Sequence, residues 1–242
     1  MLNLSFVRRG VIAALAVSIV GLVVSPAGAA IGVTPLNAIL PPGATSASFT
    51  VTNPETVERV VQAQVFRWEH VNGKDQQTKS SDWIVNPPIA PIAPLGSRVI
   101  RIALRHRVAP TEETAYHLVL SEVNSKEATG VGVTVNTNIS LPIFLEPAGG
   151  SKKRPEWSAA RGAAHQIVVT LKNTTAVHVH VTRFVLRDPS GKTLQVDAPS
   201  YVFPGETRSW TLVLDKTAPD PRVLVVEANL DDGVQTIPIG DR

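Results

Sequence analysis

Residues 128–145 read ATGVGVTVNTNISLPIFL and contain no charged side chain. Within this segment apolar and polar residues alternate, so an extended chain would carry a row of apolar side chains on one face. A strand over residues 131–143 would be about 43 Å long, well beyond the usual length of about five or six residues. The row consists of Val131, Val133, Val135, Ile139 and Leu141, followed by Ile143.

Two interpretations of this segment stay open on the pattern alone. A strand in the middle of a sheet would bury the row in the core of its own domain. An edge strand would normally carry charged residues that prevent pairing with other chains. An uncharged edge would instead favour pairing with a partner chain, and Pro142 would mark where the ladder ends.

The rest of the chain also favours β-structure, because alternation of period two recurs between turn signals. In the first half it covers residues 46–53, 60–68 and 97–105. In the second half it covers residues 166–173, 177–186, 209–214, 223–229 and 234–239. Pro, Gly and consecutive bases around Gly149 indicate a domain boundary. We therefore predict two antiparallel β-sandwich domains, residues 30–147 and 156–242, joined by a linker at 148–155.

The first 29 residues have the layout of a secretory signal peptide. Arg8 and Arg9 precede the apolar residues 11–24, and small residues follow up to Ala29. This apolar run is shorter than the roughly 20 residues that span a membrane. We expect export, cleavage near Ala29, and no stable membrane insertion of the mature chain.

Composition excludes several classes of chemistry. The chain has no cysteine, so disulfides, thiol nucleophiles and cysteine-bound metals are excluded. Its net charge of +3 does not indicate a nucleic-acid binder. His178 and His180 are spaced to share one face of a strand, but no third metal ligand accompanies them, so we read them as ordinary strand residues. No catalytic motif is present. We predict neither an enzyme nor a cofactor or metal site.

Taken in order, several segments resemble the periplasmic pilus-assembly chaperones of the chaperone–usher pathway, in their archaic or alternative branch. The resemblance covers nearly all of the mature sequence. Its most specific passage is Asp82-Trp83-Ile84-Val85-Asn86-Pro87-Pro88-Ile89, followed by Pro94, Gly96 and residues 98–104. Further similar segments are residues 31–35, 47–53, 60–68, 116–123, 141–147, 154–157 and 201–210, together with Asn173.

This resemblance implies a fold and a function. The fold would be two immunoglobulin-like domains in an L-shaped arrangement. Such chaperones lend the last strand of the first domain to a pilin subunit that lacks a strand, prevent its aggregation and deliver it to an outer-membrane usher. The side chains lent would be Val131, Val133, Val135, Ile139 and Leu141. The resemblance also implies a periplasmic location, work without cofactor, and the option of a self-dimer when no subunit is bound.

The sequence departs from the family pattern in the cleft between the domains. Better-known members hold the carboxylate at the subunit's C-terminus with an Arg and a Lys, where this chain has Asn37 and Pro142. Arg98, Arg101 and Arg105 are candidate substitutes, although a solvated basic face is the favoured explanation for them. Glu146 stands where many relatives have an Arg that braces the two domains.

A second class of function also fits the sequence. An exported pair of immunoglobulin-like domains can be a ligand-binding or adhesive module. The two classes differ in the strand at residues 131–141. A chaperone needs this strand accessible, whereas a loop-based binding module would bury it.

Overall fold

The computed structural model describes residues 31–123, 138–149, 154–163, 165–188, 191–214 and 225–240. All regular secondary structure in these residues is β-strand. The strands form four sheets that pack as two sandwiches, which confirms the predicted all-β fold of two immunoglobulin-like domains. The predicted signal peptide and the predicted site residues Val131, Val133 and Val135 lie outside the described residues.

The described residues of the first domain form ten strands. They are β1 Gly32–Thr34, β2 Ala38–Leu40, β3 Ser46–Thr52, β4 Arg59–Val71, β5 Lys74–Lys79, β6 Trp83–Asn86, β7 Ile89–Ile92, β8 Ser97–Leu104, β9 Thr114–Val123 and β10 Asn138–Leu145. One sheet has the order β1-β3-β8-β6, and the other has the order β2-β10-β9-β4-β5, with β7 also paired to β4. The chain therefore changes sheets between β1 and β2.

The core of the first domain lies between these two sheets. Inward-facing residues alternate with exposed ones along β3 and β8, as their period of two predicts. Phe49, Ile100, Ile102, Leu118 and Ile143 are among the fully buried side chains. Leu141, Ile143 and Leu145 of β10 thus belong to the core.

In the second domain, the part of the chain that the structure describes forms eight strands. They are β11 Glu156–Arg161, β12 Gln166–Lys172, β13 Val179–Arg187, β14 Thr193–Val202, β15 Thr207–Val213, β16 Val225–Leu230, β17 Gly233–Ile237 and β18 Ile239–Gly240. The two sheets have the orders β15-β12-β11-β18 and β14-β13-β16-β17. The segment 234–239, which the pattern predicts as one strand, is divided at Pro238. Proline has no N–H for a ladder, and the chain passes there from one sheet to the other.

A buried asparagine occupies the same place in both domains. Asn53 follows β3, and its side-chain amide donates to the carbonyl groups of Val57, Ile92 and Ala93. Asn173 follows β12, and its amide donates to the carbonyl groups of Val177 and Val202. Each side-chain oxygen accepts a backbone N–H two residues on. Both asparagines satisfy carbonyl groups that would otherwise be buried without partners.

Candidate functional site

The strand β10 is only partly covered by its own sheet. It pairs with β9 in antiparallel register over its whole length, from Asn138 to Leu145. On its other side β2 pairs with it in parallel, but only over Ile143, Phe144 and Leu145. Among the described residues, residues 138–142 therefore have no strand on that side. We call this stretch the free edge.

The backbone groups that point out of the free edge follow from the alternation along the strand. The N–H of Glu146 donates to the carbonyl of Leu40 at 3.0 Å, so even-numbered residues of β10 point their backbone groups toward the side of β2. Asn138 and Ser140 then present their N–H groups at the free edge. Pro142 faces the same way but has no N–H, so the donors stop immediately before β2 begins.

The side chains of β10 point alternately to the two faces of the sheet, perpendicular to the direction of the backbone hydrogen bonds. Leu141 is 2% exposed and packs in the core of the first domain, and Ile139 packs partly against that core. Ser140 and Asn138 are exposed. Of the five side chains predicted for lending, the structure thus places Ile139 and Leu141 at the point where the apolar row enters the domain's own core.

The free edge lacks the charges that protect other edge strands. At the opposite end of the same sheet, the edge strand β5 carries Lys74, Asp75 and Lys79, all exposed. The described residues of β10 include no charged side chain. Because charged edges discourage pairing with other chains, the sheet is protected at β5 and left open at β10.

The second domain packs against the end of β10. Phe144 points away from the core of the first domain and is 1% exposed. Its ring stacks on His178 with centroids 3.9 Å apart and lies near Trp68 and Tyr201. Together with Ala115 and Phe203 these residues form an aromatic cluster between the domains. Phe144 therefore ties the strand that has the free edge to the second domain.

Two histidine–carboxylate pairs join the domains beside this cluster. Glu113, whose side chain is 2% exposed, lies 2.7 Å from Nδ1 of His178 and accepts the backbone N–H of the same residue. The backbone N–H of Glu113 donates to the carbonyl of Ala176. His70 of β4 lies 2.9 Å from the carboxylate of Glu206 in the second domain. These hydrogen bonds restrict the relative orientation of the two domains more specifically than the apolar contact alone does.

The three candidate arginines lie away from β10. Arg98 and Arg101 are on β8, in the other sheet of the first domain, and both are exposed. Arg105 follows β8 and lines a cavity of about 560 Å³ beside β4 and β6. The structure does not bring these side chains to the free edge. Asn37, immediately before β2, is also exposed.

Burial perturbs titratable groups around the cluster. It raises the pKa of Tyr201, with a further contribution from the charge of Asp231. It lowers the pKa of His117, although the charge of Asp75 acts in the opposite direction. His117 stacks on Trp68 at 4.1 Å, and its Nδ1 accepts a hydrogen bond from the side-chain amide of Gln77 at 2.9 Å. The neutral imidazole fits this site.

The lowered pKa of His117 predicts acid sensitivity. As the pH falls, the unfolded chain takes up a proton at this position before the folded chain does, so acidification favours unfolding. We expect His117→Phe to lose less free energy of unfolding between pH 7 and pH 5 than the unmodified chain, measured by urea denaturation. His106→Gln, at an exposed histidine, serves as the control. Equal losses in His117→Phe and the unmodified chain would contradict the expectation.

The sequence patterns did not predict the cluster between the domains. His178 was predicted to be an ordinary strand residue, yet it pairs with Glu113 and stacks on Phe144. The sequence contained one signal of this contact between the domains, which is Phe144. Its side chain must point to the face of the sheet opposite Ile143 and Leu145, so a large apolar residue there indicates a second buried surface outside the core of the first domain. Within the described ranges, no group of three His, Asp or Glu side chains could hold a metal ion. No helix in that part of the chain is long and apolar enough to cross a membrane.

These features define a two-domain immunoglobulin-like protein that exposes part of one strand. The last strand of its first domain has a charge-free edge, and the second domain packs at the end of that strand. The family model described as "Pili and flagellar-assembly chaperone, PapD N-terminal domain" matches residues 30–151, half of the chain. The chain belongs to this family of pilus-assembly chaperones. The family is one of chaperones and not of enzymes. No curated protein sequence matches the chain.

Solved structures of pilus chaperones share the fold at low sequence identity. One is the CsuC–CsuE chaperone–tip adhesion subunit complex from archaic Csu pili of Acinetobacter baumannii, with a TM-score of 0.61 and 20% identity over 88% of this chain and all of that one. The Escherichia coli chaperone DraB has a TM-score of 0.60 and 15% identity over 88% and 97% of the two chains. The Salmonella enterica SafA pilin–SafB chaperone complex has a TM-score of 0.56 and 15% identity over 86% of this chain and 96% of that one.

Proposed function

We propose that this protein is a periplasmic chaperone that lends the strand containing β10 to a pilin subunit lacking a strand, and then delivers the subunit to an outer-membrane usher. The observation that carries the proposal is the free edge at residues 138–142, which is uncharged and has no strand beside it in the described part of the first domain. Family membership adds independent support.

The backbone supplies the first part of the binding. The N–H and carbonyl groups of Asn138 and Ser140 are available to an incoming strand on this edge. Because β2 occupies the same side from Ile143 onward, an incoming strand must stop or turn near Pro142. The subunit would then continue its pairing along residues 131–137.

The side chains supply the second part. Val131, Val133 and Val135 have the same parity as Ile139 and Leu141, so on a continued strand they would enter the groove of the subunit. Each fully buried Val contributes roughly 1.5 to 3 kcal/mol before the costs of ordering are subtracted. Leu141 and Ile139 would form the junction between the core of the chaperone and that of the subunit. Pilin complementation is itself a standard example of strand addition.

The solved relatives support the class of partner. In two of the similar structures, the chaperone is bound to a tip adhesion subunit or to a pilin. We extend this partner class to the present chain. Residues 1–29 would direct export, residues 30–147 would hold the subunit, and residues 156–242 would pack behind β10 after the linker at 148–155. Anchoring of a carboxylate by Arg98, Arg101 or Arg105 stays a prediction from the sequence.

Co-expression tests this function. The full chain is produced with each small exported subunit encoded beside an usher gene in the source genome, and periplasmic extracts are purified through a tag on the chaperone. We expect at least one subunit to co-purify in equal amount and to be degraded or aggregated without the chaperone. Recovery of a folded chaperone with none of these subunits bound would refute the proposal and favour an adhesive module.

A further inference from the structure

The cavity of about 560 Å³ in the first domain lies where the chain crosses from one sheet to the other and back. Strand β5 pairs with the end of β4 and β7 pairs with its beginning. Between them, residues 63–65 of β4 have no strand beside them on this side in the described part of the chain. The other wall is β6, an edge strand of the second sheet. We call this cavity the notch.

Apolar side chains form much of the wall of the notch. Val65 and Trp83 are buried in the core of the first domain, and Val85 packs partly against that core. The ring of Pro88 adds a further apolar surface. Cavities of this size with apolar walls and a few polar groups are the usual form of sites for small molecules.

The rim of the notch carries positive charge without a counter-charge. Lys79 and Arg105 are exposed and line the notch, and its lining includes no Asp or Glu. Within the described residues neither cation forms an ion pair. The neighbouring carboxylate of Asp82 already accepts hydrogen bonds from the hydroxyl groups of Tyr116 and Ser80. Two unpaired cations beside an apolar cavity favour an anionic ligand.

Trp83 adds a hydrogen-bond donor that the protein does not use. Its side chain is 4% exposed, and its Nε1 has no hydrogen-bond partner among the described residues. Buried donors are nearly always paired, and those of two other indoles are, since Trp68 donates to Asp75 and Trp210 donates to Ser200. An acceptor atom of a ligand in the notch would supply the partner that Trp83 lacks.

We propose that the notch binds a small organic anion that has a flat apolar body. The body lies against Trp83, Val85 and Pro88, and a flat shape suits the space between the margins of two sheets. The carboxylate or sulfonate group of the ligand is held by Lys79 and by the guanidinium group of Arg105, which can bind a carboxylate through two parallel hydrogen bonds. The notch is separate from the free edge, because β9 lies between β4 and β10 in the sheet.

The indole N–H signals of the four tryptophans allow a direct test. The full chain is labelled with nitrogen-15, the Trp83 signal is assigned with Trp83→Phe, and naphthoate is added as the probe. We expect a saturable shift of the Trp83 signal with a dissociation constant of about 1 mM or below. The Nε1 of Trp157 is also buried without a partner but does not line the notch, so its signal should stay unchanged.

Two controls separate the charge from the apolar body and the notch from the rest of the surface. Naphthalenemethanol has the same rings without the charge and should bind much more weakly. Lys79→Gln combined with Arg105→Gln should weaken naphthoate binding by about tenfold or more. Lys74→Gln combined with Arg98→Gln removes two charges from exposed positions on β5 and β8 that do not line the notch, and this variant should bind like the parent.

Several results would overturn the proposal. One is a Trp83 signal that does not shift with naphthoate, and another is a shift of all four indole signals together, which would show unspecific binding. Equal affinity for naphthalenemethanol would refute the anionic class of ligand. Equal weakening in the two double variants would show that the overall charge, and not the notch, attracts the probe. No pilin subunit takes part in this measurement, so its outcome is independent of the proposed function.

Discussion

A chaperone carrying Val133→Asp is expected to fold normally and to lose affinity for its subunit by about 100-fold or more. In the proposed complex Val133 enters an apolar groove, and a carboxylate there would lose its hydration without gaining a partner. A cost of about 3 kcal/mol corresponds to that loss of affinity. The measurement is binding of the purified subunit by calorimetry or by tagged co-purification. Val133 is preferred to Ile139, because Ile139 also packs against the core of the first domain.

The matched control is Thr134→Asp, which adds the same charge one residue away. Thr134 has the opposite parity, so its side chain would point to solvent in the complex, and binding should stay within a few-fold of the parent. Equal binding by Val133→Asp and the parent would show that this row does not enter the subunit. Equal loss in both variants would mean that charge alone, and not the parity of the row, decides binding.

Phe144→Ala is expected to separate the unfolding of the two domains. Phe144 is buried against His178, Trp68 and Tyr201, and removal of such a ring typically costs about 3 to 5 kcal/mol. Most of that cost falls on the contact between the domains, because Phe144 faces away from the core of the first domain. Calorimetry should show two transitions, with the domains less strongly coupled than in the parent.

Phe66→Ala provides the control for this substitution. Phe66 lies on β4 of the same sheet but outside the aromatic cluster between the domains. Phe66 is only half-buried and is not among the core residues of the first domain, so its replacement should cost less and should leave the coupling between the domains unchanged. A Phe144→Ala protein that unfolds in the same single transition as Phe66→Ala would show that the cluster does not join the domains.

The sequence predicted the fold well because most of it is set by local patterns. Residues 97–105 alternate clearly, and β8 spans Ser97–Leu104. The parity of the uncharged segment 128–145 continues into the buried positions Leu141 and Ile143. Strand β14, Thr193–Val202, was not predicted, although Leu194, Val196 and Ala198 alternate there with polar residues and pack partly against the core of the second domain.

The junction of the domains could not be predicted in the same way. His70 and Glu206 are separated by 136 residues, and nothing in the local pattern around either residue indicates the other. The parallel pairing of β2 with the end of β10 is likewise a long-range contact. This pairing decides how much of β10 is left without a partner strand on that side. The pairing in turn depends on where the chain changes sheets after β1. Such features follow from tertiary packing and not from periodicity.

The amide of Ser140 gives the most direct test of the central claim. By the alternation along β10 its N–H points to the free edge, whereas the N–H groups of Ile139 and Leu141 point to β9. Residue-resolved hydrogen exchange should show Ser140 exchanging rapidly in the free chaperone and slowing at least 100-fold when the subunit binds. Ile139 and Leu141 should be protected in both states. A subunit complex in which Ser140 exchanges as fast as in the free protein would contradict strand lending at this edge.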